Sequence, residues 1–108
     1  VKVLPLLSTA VAALAFSLPA VAQDADAANK VLKGDGCTKC HAVDKSKKGP
    51  SYQKVAAKYK GKADAEAKLT DFLTKSPKVK MDDGSEEDHK AVKDKGSLPN
   101  LIKFILAQ

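Results

Sequence analysis

The only two thiols of this 108-residue chain lie three positions apart in Cys37-Thr38-Lys39-Cys40-His41, and an imidazole follows the second at once. That is the C-x-x-C-H pattern of a c-type haem attachment site. Each thiol can add to one vinyl group of a haem, and the adjoining His41 is then carried to the iron as its proximal ligand. Two other chemistries use a C-x-x-C pair. Zinc wants four closed ligands, and with no second cysteine pair His89 alone does not complete such a set. A dithiol redox pair expects a βαβ setting, and the hydrophobic pattern shows no strand–helix alternation.

Before the motif, Val1 to Leu18 is almost wholly apolar with Lys2 its single charge, and Pro19-Ala20-Val21-Ala22-Gln23 follows. The Ala20-x-Ala22 spacing of small residues predicts a secretory signal peptide over residues 1–22, cut after Ala22. The apolar run falls short of the ~20 residues a spanning helix needs, so a membrane anchor is the weaker reading. Export to a periplasm would tend to pair Cys37 with Cys40 unless haem addition consumes both thiols, which calls for an attachment system in the same compartment.

Residues 23–108 are then one small domain with a thin core. Their aromatic side chains are only Tyr52, Tyr59, Phe72 and Phe104, with no Trp. A covalently held haem would supply the missing apolar mass. All nineteen basic residues are Lys against thirteen acids. The excess gathers around and after the motif at Lys39, Lys45, Lys47, Lys48, Lys54, Lys58, Lys60 and Lys62, with Asp44 the one acid among them. Such a rim either steers an acidic redox partner or is a solvated face that keeps the protein soluble. Nucleic acid is disfavoured, because a chain without Arg lacks the side chain best suited to phosphate and base contacts.

Four helices must carry the motif. Asp24 to Gly34 opens on acids, ends on Gly and buries Ala28, Val31 and Leu32. Ser51 offers an N-cap to a helix with Tyr52, Val55, Ala56 and Tyr59 on one face. Lys62 to Ser76 places Ala65, Leu69, Phe72 and Leu73 together before Pro77. A terminal helix capped by Ser97 lines up Leu98, Leu101, Ile102 and Ile105. Between the last two, Pro77 to Gly96 reads as a loop with one or two helical turns, capped near Ser85-Glu86-Glu87-Asp88 and running through His89, Ala91 and Val92. No segment alternates strictly, so an all-α domain is expected.

Helix order, the C-x-x-C-H motif and Gly49-Pro50 together resemble the class I c-type cytochromes, the small bacterial soluble type similar to cytochrome c551/c552. The resemblance covers residues 23–108 nearly end to end. It implies a small single-domain cytochrome c fold, with helices wrapped around one covalent haem c held by Cys37 and Cys40. It further implies His41 as proximal ligand and the Pro50 carbonyl as partner of the His41 ring N–H. The first and last helices would cross, with Ala28 and Leu32 meeting Leu101 and Phe104. Leu32 stands where the family usually has an aromatic, which implies a looser crossing.

The distal ligand departs from the family pattern. Met81 is the only Met, and its neighbours Asp82-Asp83-Gly84 are unlike the usual Met loop. It lies 23 residues before Phe104, whereas His89 lies 15 before it, closer to the family interval. Counted forward from Ser76, Met81 comes early and His89 late. Met ligation is the ordinary arrangement, so Met81 and His89 both stand as candidates. The implied function is a monomeric electron carrier without enzymatic activity, exchanging electrons with acidic donor and acceptor proteins. The alternative is a small-ligand binder or sensor, which would require an open sixth position on the iron.

Overall fold

The computed structural model describes residues 23–108 together with Ala12; the expected signal peptide otherwise lies outside the described residues. Helix α1 (Ala25–Gly34) starts where the Asp24 side chain accepts a hydrogen bond from the Ala27 N–H at 3.0 Å. That contact satisfies one of the orphan donors of a helix start. The helix stops at Gly34, but the left-handed residue of the turn that follows is Gly36, at φ 74°. A side chain would be strained there. The chain then tightens into a 3₁₀ turn over Cys37–Lys39.

Helix α2 (Tyr52–Tyr59) begins on Ser51, whose hydroxyl accepts from the Lys54 N–H at 3.2 Å. Helix α3 (Ala65–Lys75) starts three residues later than its pattern suggests, because residues 60–64 form turns after the left-handed Gly61. Its C-cap, Ser76, is also left-handed. Helix α4 (Leu98–Leu106) carries Pro99 in its first turn, where a missing N–H costs nothing. Ser97 does not cap it: its hydroxyl donates to the Asp94 carbonyl and belongs to a 3₁₀ turn over Lys95–Ser97.

The largest departure from expectation lies between α3 and α4. Strands β1 (Lys78–Lys80) and β2 (Glu86–Asp88) form an antiparallel hairpin in the register Lys78↔Asp88, Val79↔Glu87 and Lys80↔Glu86. The acids expected to cap a helical turn are in fact strand β2. Gly84 at φ 85° and the Met81–Ser85 bonds close the turn. Three alternating residues are too short a run to be seen as a strand in the sequence. The fold remains all-α in class, with this ribbon as an addition to four helices.

The core sits on α4. Leu98, Leu101, Ile102, Phe104 and Ile105 are all buried, a band wider than one stripe, because α1, α2 and α3 each pack against this helix. The crossing of α1 and α4 brings Ala28 and Leu32 into one cluster with Leu101 and Phe104, as expected. It is also pinned by polar contacts outside the core: the Asp24 N–H donates to Asn100 Oδ1 at 2.6 Å, and Asn100 Nδ2 donates to the Asp24 carbonyl at 2.9 Å. Leu101 is only 1% exposed at the centre. Leu101→Ala should destabilise the domain by about 2–5 kcal/mol, through lost burial and the cavity left behind; denaturant unfolding measures it.

Candidate haem site

His41 is held from every side the loop can reach. Its backbone N–H bonds the Cys37 carbonyl at 2.9 Å, closing the turn that carries both thiols. Its ring Nδ1–H donates to the Pro50 carbonyl at 2.7 Å. A carbonyl only accepts, so Nδ1 bears a proton, and in the neutral ring the lone pair is then on Nε2. The Tyr52 ring stacks on the imidazole at 5.2 Å between centroids. On another side, a Cβ added to Gly49 would lie 2.5 Å from His41 Cε1, closer than any carbon contact allows. The loop is tied to the helix behind it: the Gly49 N–H bonds Cys40 O at 2.8 Å, and the Tyr52 N–H bonds Ala42 O at 3.0 Å.

His89 arrives from the opposite end of the chain by different means. Its N–H bonds the Pro77 carbonyl at 2.9 Å at the base of the hairpin, and Val92, buried, bonds the Leu73 carbonyl at 2.9 Å. Phe72 of α3 meets the His89 ring edge-on at 4.7 Å. The ring's Nδ1–H donates to the Lys90 carbonyl at 2.9 Å, so His89 too keeps its lone pair on Nε2. The two imidazole centroids are 6.0 Å apart.

Met81 is not brought to this place. It sits at the far end of the hairpin, where its N–H and carbonyl close the turn with Ser85 and Gly84. His89 bonds Pro77, and Met81 follows Pro77 by four residues along an extended strand, a span of about 13 Å. Strand pairing thus separates the two candidate ligands that the sequence left open.

Burial raises the Cys37 thiol above its ordinary value; Asp35 adds to the rise, while Lys90 opposes it. Burial also lowers His89, with the Lys90 carbonyl opposing and His41 contributing in the same direction. A neutral imidazole is the metal-binding form, so that shift favours ligation. Tyr52 is raised, chiefly by burial, and its phenol stays protonated at any ordinary pH.

The sequence named Cys37, Cys40, His41, Pro50, Met81 and His89 as site candidates; the structure brings His41, Pro50 and His89 together, and three neighbours of the imidazoles were not among those named. In the sequence Gly49 reads as part of a loop-closing Gly-Pro, whereas its missing side chain makes room for the His41 ring. Periodicity assigns Tyr52 and Phe72 to helix faces, yet each packs on an imidazole. The short interval from Gly49 to Tyr52 was the available signal.

The cytochrome c family model matches residues 25–106, and the chain belongs to that family. It is 49% identical to the class 1 cytochrome MtoD of Sideroxydans lithotrophicus ES-1, with a TM-score of 0.77 over 80% of this chain and 97% of that one. Cytochrome c552 of Nitrosomonas europaea shares the fold at a TM-score of 0.61 and 23% identity, over 73% of this chain and 96% of that one. Cytochrome c-551 of Allochromatium vinosum is 43% identical over 56 residues, 52% of this chain and 60% of the relative. That of Pseudomonas aeruginosa is 51% identical over 39 residues, 36% of this chain and 38% of the relative. The matched stretches thus span well under two thirds of these curated relatives. The family's cofactor is one covalent haem c, and two thiols with two tautomer-fixed imidazoles beside them are a donor set that fits it.

Gly49→Ala should push the His41 ring out of its seat and destabilise the fold by about 1–3 kcal/mol, the usual cost of an overpacked contact. Denaturant unfolding and the haem absorption spectrum should both change; an unaltered pair of measurements would mean that the close approach is unimportant.

Proposed function

We propose that the protein is an exported, periplasmic one-electron carrier with haem c bound through thioethers to Cys37 and Cys40 and with His41 and His89 as axial ligands. The observation that carries this reading is the pairing of two imidazoles at 6.0 Å, each with Nδ1 committed to a backbone carbonyl. A metal held by one nitrogen of each ring, at about 2 Å a bond, would set the centroids about 6 Å apart. Membership of the cytochrome c family supports the carrier role. When bound, the haem supplies a one-electron Fe(III)/Fe(II) couple.

The chain's own residues then do the rest. Pro50 and Lys90 orient the two ligands through their carbonyls and increase their basicity. Tyr52 and Phe72 each cover one side of an imidazole. A second imidazole in place of a thioether forgoes the rise in potential that Met ligation brings, so this carrier should work at a lower potential than a His/Met relative. With both axial positions filled no substrate site is left on the iron, and the protein is not an enzyme. Export rests on the apolar leader and Ala20-x-Ala22; among the described residues no helix is long and apolar enough to cross a membrane.

The partners are acidic proteins, met by a monomer. Lys39, Lys45, Lys47, Lys48, Lys54, Lys58, Lys60 and Lys62 are all exposed, and none of them is in an ion pair among the described residues. An unneutralised field of this kind raises encounter rates.

Two outcomes are expected. The reduced protein should change little on adding CO, while His89→Ala should bind it readily; Met81→Ala should leave the spectrum as in the parent, and neither should show a sulfur-to-iron charge-transfer band. A strong band in the parent protein, abolished by Met81→Ala, would overturn the His89 assignment, and strong CO binding by the parent would favour a ligand sensor. Electron exchange with an acidic partner protein should slow about tenfold or more between low and physiological ionic strength. A flat stopped-flow response would remove the lysines from recognition.

A further inference from the structure

A second feature stands beside the attachment motif, and its lysine side chains play no part in holding the ligands. The end of α1, the turn into Cys37 and the segment after His89 enclose a cleft of about 410 Å³ lined by Lys33, Asp35, Gly36, Lys39, Lys90 and Lys93, among others. Four lysines line it, from three separate parts of the chain. None of the four is in an ion pair or donates a side-chain hydrogen bond among the described residues, whereas Lys68, Lys75 and Lys78 each have a carboxylate partner. The single acid of the lining, Asp35, is turned to the backbone, its Oδ2 accepting from the Lys93 N–H at 3.1 Å.

We propose that this cleft binds a small phosphate-type polyanion, and binds it more tightly when the protein is oxidised. Gathering four like charges about a single carboxylate leaves an excess of positive charge, which is unfavourable, and a multivalent anion relieves it. Ammonium groups act as point charges toward phosphate oxygens, and the volume is that of a small-ligand site. Lys90 fixes the location: its Nζ would lie 2.9 Å from a Cβ on Gly36, so the ammonium rests on the turn that leads into Cys37. The propionates of a bound haem would not fill this need, because they are on the side of the porphyrin opposite the vinyl groups to which Cys37 and Cys40 would be joined.

Redox linkage follows from charge alone and rests on the haem reading above. Reduction removes one positive charge from the iron, so an anion seated beside the attachment point loses affinity when the electron arrives. By reciprocity, the anion lowers the midpoint potential.

The test uses the intact haem protein and inorganic pyrophosphate at fixed ionic strength. Titration calorimetry on the oxidised form should give one saturable site, weakened about tenfold or more in the Lys90→Gln/Lys93→Gln double variant. Lys68→Gln/Lys75→Gln removes the same charge from α3 and should leave the affinity within about twofold of the parent. Equal weakening in both variants, or no saturable binding in the parent, would overturn the site. The midpoint potential should fall as pyrophosphate is added, by about 59 mV if the oxidised form binds tenfold more tightly. A constant potential in the face of saturable binding would overturn the redox linkage. Calorimetry does not depend on colour, so if expression with a haem-attachment system gave colourless protein that still bound pyrophosphate, the carrier reading would fall and the cleft would stand.

Discussion

An imidazole pressed against bare backbone is the contact on which the site depends. His41 can lie where it does only because Gly49 has no side chain, and it keeps one tautomer only because the Pro50 carbonyl stands opposite Nδ1. Tyr52 closes the remaining face by stacking. These three neighbours lie within four consecutive residues, so one short loop sets position, proton and shielding together. The same stretch is hydrogen-bonded at both ends, Gly49 N–H to the Cys40 carbonyl and Tyr52 N–H, at the start of α2, to the Ala42 carbonyl. The ring is thereby referred to two rigid elements rather than to a mobile connection.

The opposing imidazole comes from a segment with no regular structure of its own, and its precision is borrowed. Pro77 at the hairpin base, Leu73 at the end of α3 and the edge of Phe72 all converge on residues 89–92. The hairpin therefore has two effects. It supplies a fixed base for His89, and by extending away from that base it carries Met81 to its far end. A sulfur and an imidazole eight residues apart cannot both sit at the base of a paired ribbon. On the proposed reading that register selects a bis-imidazole iron, and with it a lower working potential than a thioether would give.

The scaffold beneath is small and organised on one helix. α4 buries five apolar side chains because three helices surround it, and the Asp24–Asn100 contacts fasten its start to the start of α1. That crossing places the C-terminus of α1 directly ahead of Gly36 and the thiols. Packing at the back of the molecule thus determines where the attachment turn emerges at the front. With so few aromatic side chains in the described residues, a covalently held porphyrin would add the apolar bulk the protein lacks.

Much of this was legible from residue types. The spacing Cys37-x-x-Cys40-His41 names its chemistry because two thioethers and an adjacent ligand need that geometry, and each helix announced itself by periodicity or a capping residue. These are local properties, encoded within one or two turns of chain. The hairpin, the choice between Met81 and His89, the seat made by Gly49 and the lysine cleft were not legible in the same way. Each depends on a pairing register or on contacts between segments far apart in sequence, and neither leaves a periodic trace. Residue chemistry therefore established what could bind here, and tertiary packing decided which second side chain stands across from His41, since only a folded chain sets the distance between them.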